Sequence, residues 1–400
     1  MSQWKNVSLT DVSVKIGDGL HGTPTYDESG DYYFINGNNL LNGRVFIKPE
    51  TKKISKAEFD KIKKDLNNST ILLSINGTIG NVSKYTGEKC ALSKSVCYIN
   101  LDENLILRDY FYYECLSDKF QSFMDNIATG TTITNVPLKG IRTYEFKIPP
   151  IAEQRAIVSV LSSLDNKIDL LHRQNKTLES MAETIFRQWF IEEAQEDWPE
   201  TTIGEVFTLN GGSTPSTKND DFWDGDISWT SPRDLSASES IFLMSTERKI
   251  TSLGLKRISS GLLPVRTLLM SSRAPIGYLS ITDIPVAINQ GYIAIRESSH
   301  YHSEYMYLWC KLNMEIIKNS GNGSVFQEIS KSSFRNLTFI EPPKEKVQSF
   351  NELTRDLFEK NRLNTKQIRR LEKLRNTLLP KLMSGEVRVK YAEEAIASVA

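Results

Sequence analysis

Histidine, the side chain most often asked to do acid–base or metal chemistry, occurs only as His21, His172, His300 and His302. None stands in the HExxH spacing that sets two imidazoles on one helical face, and none neighbours a cysteine pair. Cys90, Cys97, Cys115 and Cys310 form no CxxC and read as reduced thiols. A GxxxxGK[ST] phosphate loop and a GxSxG elbow are both missing, and Gly77-Thr78-Ile79-Gly80 is too short for a dinucleotide fingerprint. The sequence predicts no catalytic residue, no metal site and no cofactor on this chain.

Ile148-Pro149-Pro150-Ile151 and Glu341-Pro342-Pro343-Lys344 look like the (N/D)-P-P-(Y/F) loop that holds a target amine and stacks a flipped base. Neither copy has the leading amide or acid with the trailing aromatic. Each stands before a long helical stretch, where prolines start a helix.

What remains is a set of polar loops rich in the side chains that hydrogen-bond base edges in the major groove. In the first half the candidates are His21, Thr23, Asn38, Asn39, Asn76, Thr78, Thr132 and Asn135. In the second they are Thr214, Ser216, Thr230, Arg233, Ser272, Arg273, Asn289 and Gln290. Arg273 and Asn289-Gln290 lead, since arginine is the commonest reader of guanine. Ordinary surface loops explain any one of these stretches equally well. Trp223 and Trp229 are assigned to the core.

The elements that carry these loops occur twice. Phe146-Lys147-Ile148-Pro149-Pro150 answers Phe339-Ile340-Glu341-Pro342-Pro343, and Tyr110 to Cys115 answers Tyr305 to Cys310. Thr70 to Gly80 answers Thr267 to Gly277, and Gly22-Thr23-Pro24 answers Ser213-Thr214-Pro215. Such self-similarity predicts a tandem duplication. Within each copy, strands are expected at 69–75, 95–100, 267–272 and 292–296, and helices at 56–66, 109–124 and 303–319.

A long helix closes each copy. Ile157, Leu161, Leu164, Ile168, Leu171, Asn175, Leu178, Ala182, Ile185 and Trp189 step by four and three. The second series runs through Val347, Phe350, Thr354, Leu357, Asn361, Asn364, Ile368, Leu371, Arg375, Leu378 and Leu382. That spacing is the coiled-coil seam, with Asn175, Asn361 and Asn364 as the polar positions that fix register. Residues 151–193 hold 5 basic and 7 acidic side chains against 13 and 6 in 344–390. The fold class is therefore α+β: a duplicated globular domain plus long helix, the helices pairing as an antiparallel coiled coil with pseudo-twofold symmetry. Expected boundaries are 1–148, 149–194, 197–341, 342–386 and a tail at 387–400.

Apolar residues make up 39% and charged residues 24%, which excludes a disordered or fibrous chain. No run is long enough to span a membrane, and the N-terminus lacks a signal-peptide core. Forty-nine basic residues balance forty-nine acidic ones. Residues 1–148 carry 18 and 17, and residues 197–340 carry 13 and 15, so neither domain can hold nucleic acid by bulk attraction.

The run Gly212-Ser213-Thr214-Pro215-Ser216, then Phe222-Trp223 to Trp229, Arg273-Ala274-Pro275-Ile276-Gly277 and Asn289-Gln290-Gly291 resembles the specificity (S) subunits of type I DNA restriction–modification enzymes. Pro149-Pro150-Ile151-Ala152-Glu153-Gln154-Arg155 and Leu379 to Glu386 extend the likeness over nearly the whole chain. The first copy departs most: it lacks the tryptophan run, and Asn76-Gly77-Thr78 replaces Arg273-Ala274-Pro275. The second helix entry also lacks the Glu153-Gln154 pair. The resemblance implies a non-catalytic subunit in which each globular domain, a target-recognition domain, reads one half of a split double-stranded DNA site. The helices would space the halves and dock two methyltransferase (M) subunits, joined by restriction (R) translocase subunits. S-adenosylmethionine, ATP and magnesium would act on those partners, in the cytoplasm of a bacterial or archaeal cell. An orphan DNA-binding or scaffold protein, and a nucleic-acid-modifying enzyme with an unfamiliar site, remain the alternative readings.

Overall fold

Every side chain of strands Thr70–Ser74 and Val96–Leu101 is buried, the polar Thr70, Ser74 and Asn100 included, as expected of strands covered on both faces. They pair antiparallel, with Cys97 opposite Leu73, at the centre of a sheet ordered Ser13–Asp18, Val96–Leu101, Thr70–Ser74, Val82–Lys84. Strands Thr208–Gly211, Tyr292–Arg296, Leu268–Ser271 and Leu279–Thr282 repeat that order, and Phe242–Leu243 adds an edge. A smaller sheet joins Tyr32–Ile35 antiparallel to Lys53–Ile54 and parallel to Cys90–Leu92. Trp223–Thr230 takes the same two partners, Arg248–Ile250 antiparallel and Ala287–Ile288 parallel. A two-stranded pair leads into each long helix: Lys5–Ser8 with Glu145–Ile148, and Glu200–Thr202 with Thr338–Ile340. The duplication read from four short sequence matches thus extends to sheet order and strand direction.

The structure, a computed structural model, describes residues 4–130, 134–236, 240–322 and 327–389. It divides into two compact units, Met1–Ile168 with Arg370–Ala400, and Asp169–Arg369. The first unit is discontinuous and the second is one unbroken span, and each long helix gives one stretch to each of them. Ile151–Arg187 starts directly after Pro149-Pro150 and ends in a π-helical turn, Gln188–Glu192. Lys344–Ser384 starts after Pro342-Pro343 and continues through Pro380. Within the first unit Asp165 pairs with Arg375 at 3.0 Å, and Glu153 pairs with Arg388. Within the second, Asn175 meets Thr365, and the rings of Phe186 and Phe350 lie 5.6 Å apart. Partner numbers fall as helix numbers rise, so the two segments run antiparallel in each unit.

Two expected helices are broken in the fold. The stretch at 109–124 splits into Arg108–Cys115 and Asp118–Ile127, because Ser117 caps the second piece by accepting from Phe120 N at 3.2 Å. The stretch at 303–319 splits at Asn313, whose amide donates back to Trp309 O at 2.9 Å. The four cysteines are buried free thiols, and burial pushes Cys90 up to about 12. No described helix is long and apolar enough to cross a membrane.

Candidate nucleic-acid interface

In the second unit three loops leave the ends of core strands and meet. Strand Trp223–Thr230 runs into Ser231-Pro232-Arg233, where Asp234 locks the turn by accepting from Ser231 N at 2.9 Å and Glu247 N at 2.9 Å. Strand Leu268–Ser271 runs into Ser272-Arg273-Ala274-Pro275. The Ser271 hydroxyl pins that loop, donating to Pro275 O at 2.8 Å and accepting from Tyr278 N at 2.8 Å. Ala287–Ile288 runs into Asn289, whose Oδ1 accepts from Gly291 N at 2.8 Å. Arg233, Arg273, Asn289 and Tyr278 line one open recess. Arg273 is 39% exposed, and its guanidinium lies 3.8 Å from the Glu328 carboxylate.

Beside the recess, Thr214 and Gln290 are exposed and joined, Thr214 Oγ1 donating to Gln290 Oε1 at 2.6 Å. Ser216 is exposed on the same loop. Trp223 and Trp229 are core residues, as expected, packed edge to face at 5.1 Å. Their indole N–H groups donate to Ser216 O at 3.1 Å and Ser213 O at 3.4 Å, tethering the loop that carries Thr214. The Arg248 guanidinium sits 3.5 Å above the Trp223 ring centre.

The first unit builds the same three loops from other side chains. Asn36 N bonds to Asn39 Oδ1 at 3.0 Å, as Ser231 N does to Asp234. Gly80 N bonds to Ser74 O as Gly277 N does to Ser271 O, and Val136 N to Ile75 O as Ile329 N does to Ser272 O. Asn38 therefore occupies the place of Arg233, Asn76 that of Arg273, and Asn135 that of Glu328. Asn76 Nδ2 donates to Asn135 Oδ1 at 3.4 Å, and the Thr78 and Ser74 hydroxyls lie 3.2 Å apart. His21 and Thr23 are exposed, His21 beside Asp18 at 2.6 Å. Thr132 lies outside the described residues.

Three of the candidates point inward and are corrected here. Asn39 is 2% exposed and spends its amide on Phe46 O and Thr51 Oγ1. Thr230 is fully buried, with its hydroxyl on Asp234 at 3.1 Å. Ser272 is 3% exposed, at the foot of the Arg273 loop. Each sits at the foot of a turn and does not reach its exposed tip. Sequence reasoning missed Tyr278 and the equivalence of Asn36 with Ser231. The S-P-x-D and N-x-x-N patterns, a cap followed three residues later by its acceptor, were the available signal.

A family model described as the type I restriction modification DNA specificity domain matches residues 1–180 and again 195–373. The chain belongs to that family. As a type I specificity subunit it supplies DNA recognition, not catalysis. It is 21% identical to the HindI specificity subunit of Haemophilus influenzae, with 97% of this chain and 100% of that one covered. It is 37% identical to the MjaIX specificity subunit of Methanocaldococcus jannaschii over 168 residues, 42% of this chain and 39% of that relative's length. The crystal structure of the type I S subunit from M. genitalium shares the fold, with a TM-score of 0.60, 18% identity and 96% of each chain covered.

Proposed function

We propose that each unit of this specificity subunit reads one half of a split, asymmetric double-stranded DNA sequence. The long helices set the gap between the halves and dock two methyltransferase subunits, which restriction subunits join. Methyl transfer from S-adenosylmethionine and ATP- and magnesium-dependent cleavage belong to those partners, in the cytoplasm of a bacterial or archaeal host.

The observation that carries this reading is one loop scaffold built twice with different side chains at its tips. A reader that recognised two copies of one sequence would keep Arg233 and Arg273 in both units; this chain has Asn38 and Asn76 in the first. Near-neutral domains fit as well. Phosphate contacts position a protein on DNA and base contacts specify sequence, and partner subunits can supply the former.

The test is an exchange of residues 1–148 for those of another family member, followed by methylation mapping of the complex assembled with methyltransferase subunits. One half-site should change and the other persist. A change in both would overturn the proposal.

A further inference from the structure

The two sets of loops share backbone bonds and differ in donor chemistry, and that difference has a direction. Arginine presents parallel N–H donors that match the O6 and N7 acceptors of guanine. Asparagine presents one donor and one acceptor, which match N7 and the N6 amino group of adenine. At both matched positions the second unit carries arginine and the first carries asparagine: Arg233 against Asn38, and Arg273 against Asn76.

We infer that these pairs set base class: the half-site read by the second unit contains guanine where Arg233 and Arg273 reach, and the half-site read by the first contains adenine where Asn38 and Asn76 reach. The inference rests on the reading of both units as DNA readers.

The surroundings favour bases over phosphates. Glu328 lies 3.8 Å from the Arg273 guanidinium. A carboxylate there offsets the attraction of Arg273 for a phosphate, while the remaining N–H groups of its five donors stay available for a directional base contact. Glu328 also pairs through its backbone with Arg273, fixing the base of that side chain. In the first unit, the Asn76 amide gives one N–H to Asn135 Oδ1. Its second N–H and its own oxygen are the two groups adenine needs. Asn38, in the 3-10 turn Gly37–Asn39, and Arg233, in the helical turn Pro232–Ser236, are both exposed.

Selection from duplexes randomised in both halves, using the complex with methyltransferase subunits, tests this. The wild-type complex should enrich guanine in one half and adenine in the other. Arg273→Asn should cut guanine enrichment at one position of a single half about tenfold, a factor worth about 1.4 kcal/mol. Arg233→Asn, on a separate loop, should do the same at another position of that half. Neither should alter the other half or the slope of log affinity against log salt. Uniform weakening on all sequences with a slope smaller by about 1 would mark phosphate contacts and overturn the inference. So would a selective complex whose arginine-dependent half lacks guanine. A wild-type complex with no preference in either half would instead overturn the underlying reading of the chain as a bipartite reader.

Discussion

Asn364 donates from Nδ2 to the Oδ1 of Asn175 at 3.0 Å, joining the two long helices within the second unit through an amide pair in which Asn364 is buried and Asn175 half-buried. Asn361 Nδ2 reaches the Asn175 backbone oxygen at 3.2 Å, and Asn175 Nδ2 reaches Thr365 Oγ1 at 3.2 Å. Every polar atom in this knot depends on one alignment of the helices. Sliding either helix by a heptad would set Asn361 and Asn364, 3% and 1% exposed, against aliphatic neighbours.

Asn175→Leu should therefore destabilise the second unit by about 1–3 kcal/mol for each amide left without a partner. Replacing Asn175, Asn361 and Asn364 together with leucine should recover that loss, since an apolar seam costs nothing in desolvation. Chemical denaturation of the single and triple variants decides it. A triple variant no more stable than Asn175→Leu would show that the amides contribute packing rather than register.

Much of this was legible in the sequence because periodicity survives in any context. The four-three steps named Leu161, Leu164, Leu171 and Leu378, all buried, and the paired prolines marked both helix starts. Phe186 and Phe358, 1% and 3% exposed, escaped the seam because they flank it and pack into the globular core of the second unit. A stripe widened by one position would have found them. The recess was not legible as a unit. Arg233, Arg273 and Asn289 are far apart in sequence, and only strand pairing brings their loops together. Burial of Asn39, Thr230 and Ser272 escaped for a related reason: a polar residue that closes a turn and one that tips it have the same composition.

Gly212 shows how tightly the Thr214 loop is seated. A Cβ at this position would lie 2.0 Å from the Ile288 carbonyl oxygen, which accepts from Ser213 N at 3.1 Å. Gly212→Ala should force the backbone apart and separate Thr214 from Gln290. A loss of about 1–3 kcal/mol is expected, the range for overpacking a tight site, read as a lower melting temperature. An unchanged melting curve would mean that the loop can lift without cost.

Glu114 is 4% exposed in the first unit and accepts from the Tyr144 hydroxyl at 2.5 Å. Burial holds its carboxyl above the ordinary carboxylate range, a push that the Tyr144 bond and Lys119 only partly offset. The folded chain then binds this proton more tightly than the unfolded chain. The group's contribution is complete below its unfolded pKa and is lost as pH rises through the folded one. Glu114→Gln keeps an oxygen for Tyr144 and removes the charge. It should melt about 2–4 °C above the parent at pH 7–8, the shift that ~1 kcal/mol gives in a unit of this size. The gap should close near pH 4. A gap that widened in acid would reverse the sign and refute the account.

If the helices set the gap between half-sites, length should be transferable without disturbing either unit. The unit boundary crosses the helices at Ile168/Asp169 and Arg369/Arg370, so insertions there leave Asp165–Arg375 and Asn175–Asn364 within their own units. Lengthening one helix alone would misalign the seam, because its antiparallel partner would keep the old register. Seven residues in each helix restore the four-three pattern and add about 10.5 Å at 1.5 Å per residue. At about 3.4 Å per base pair along the duplex, that is about three base pairs. The complex carrying both insertions should methylate the same two half-sites with a spacer longer by about three base pairs, read by methylome sequencing. A single seven-residue insertion should cost stability and give poor assembly. Methylation at the original spacing by the doubly lengthened chain would make the helices connectors, with the gap set by the partners that embrace them.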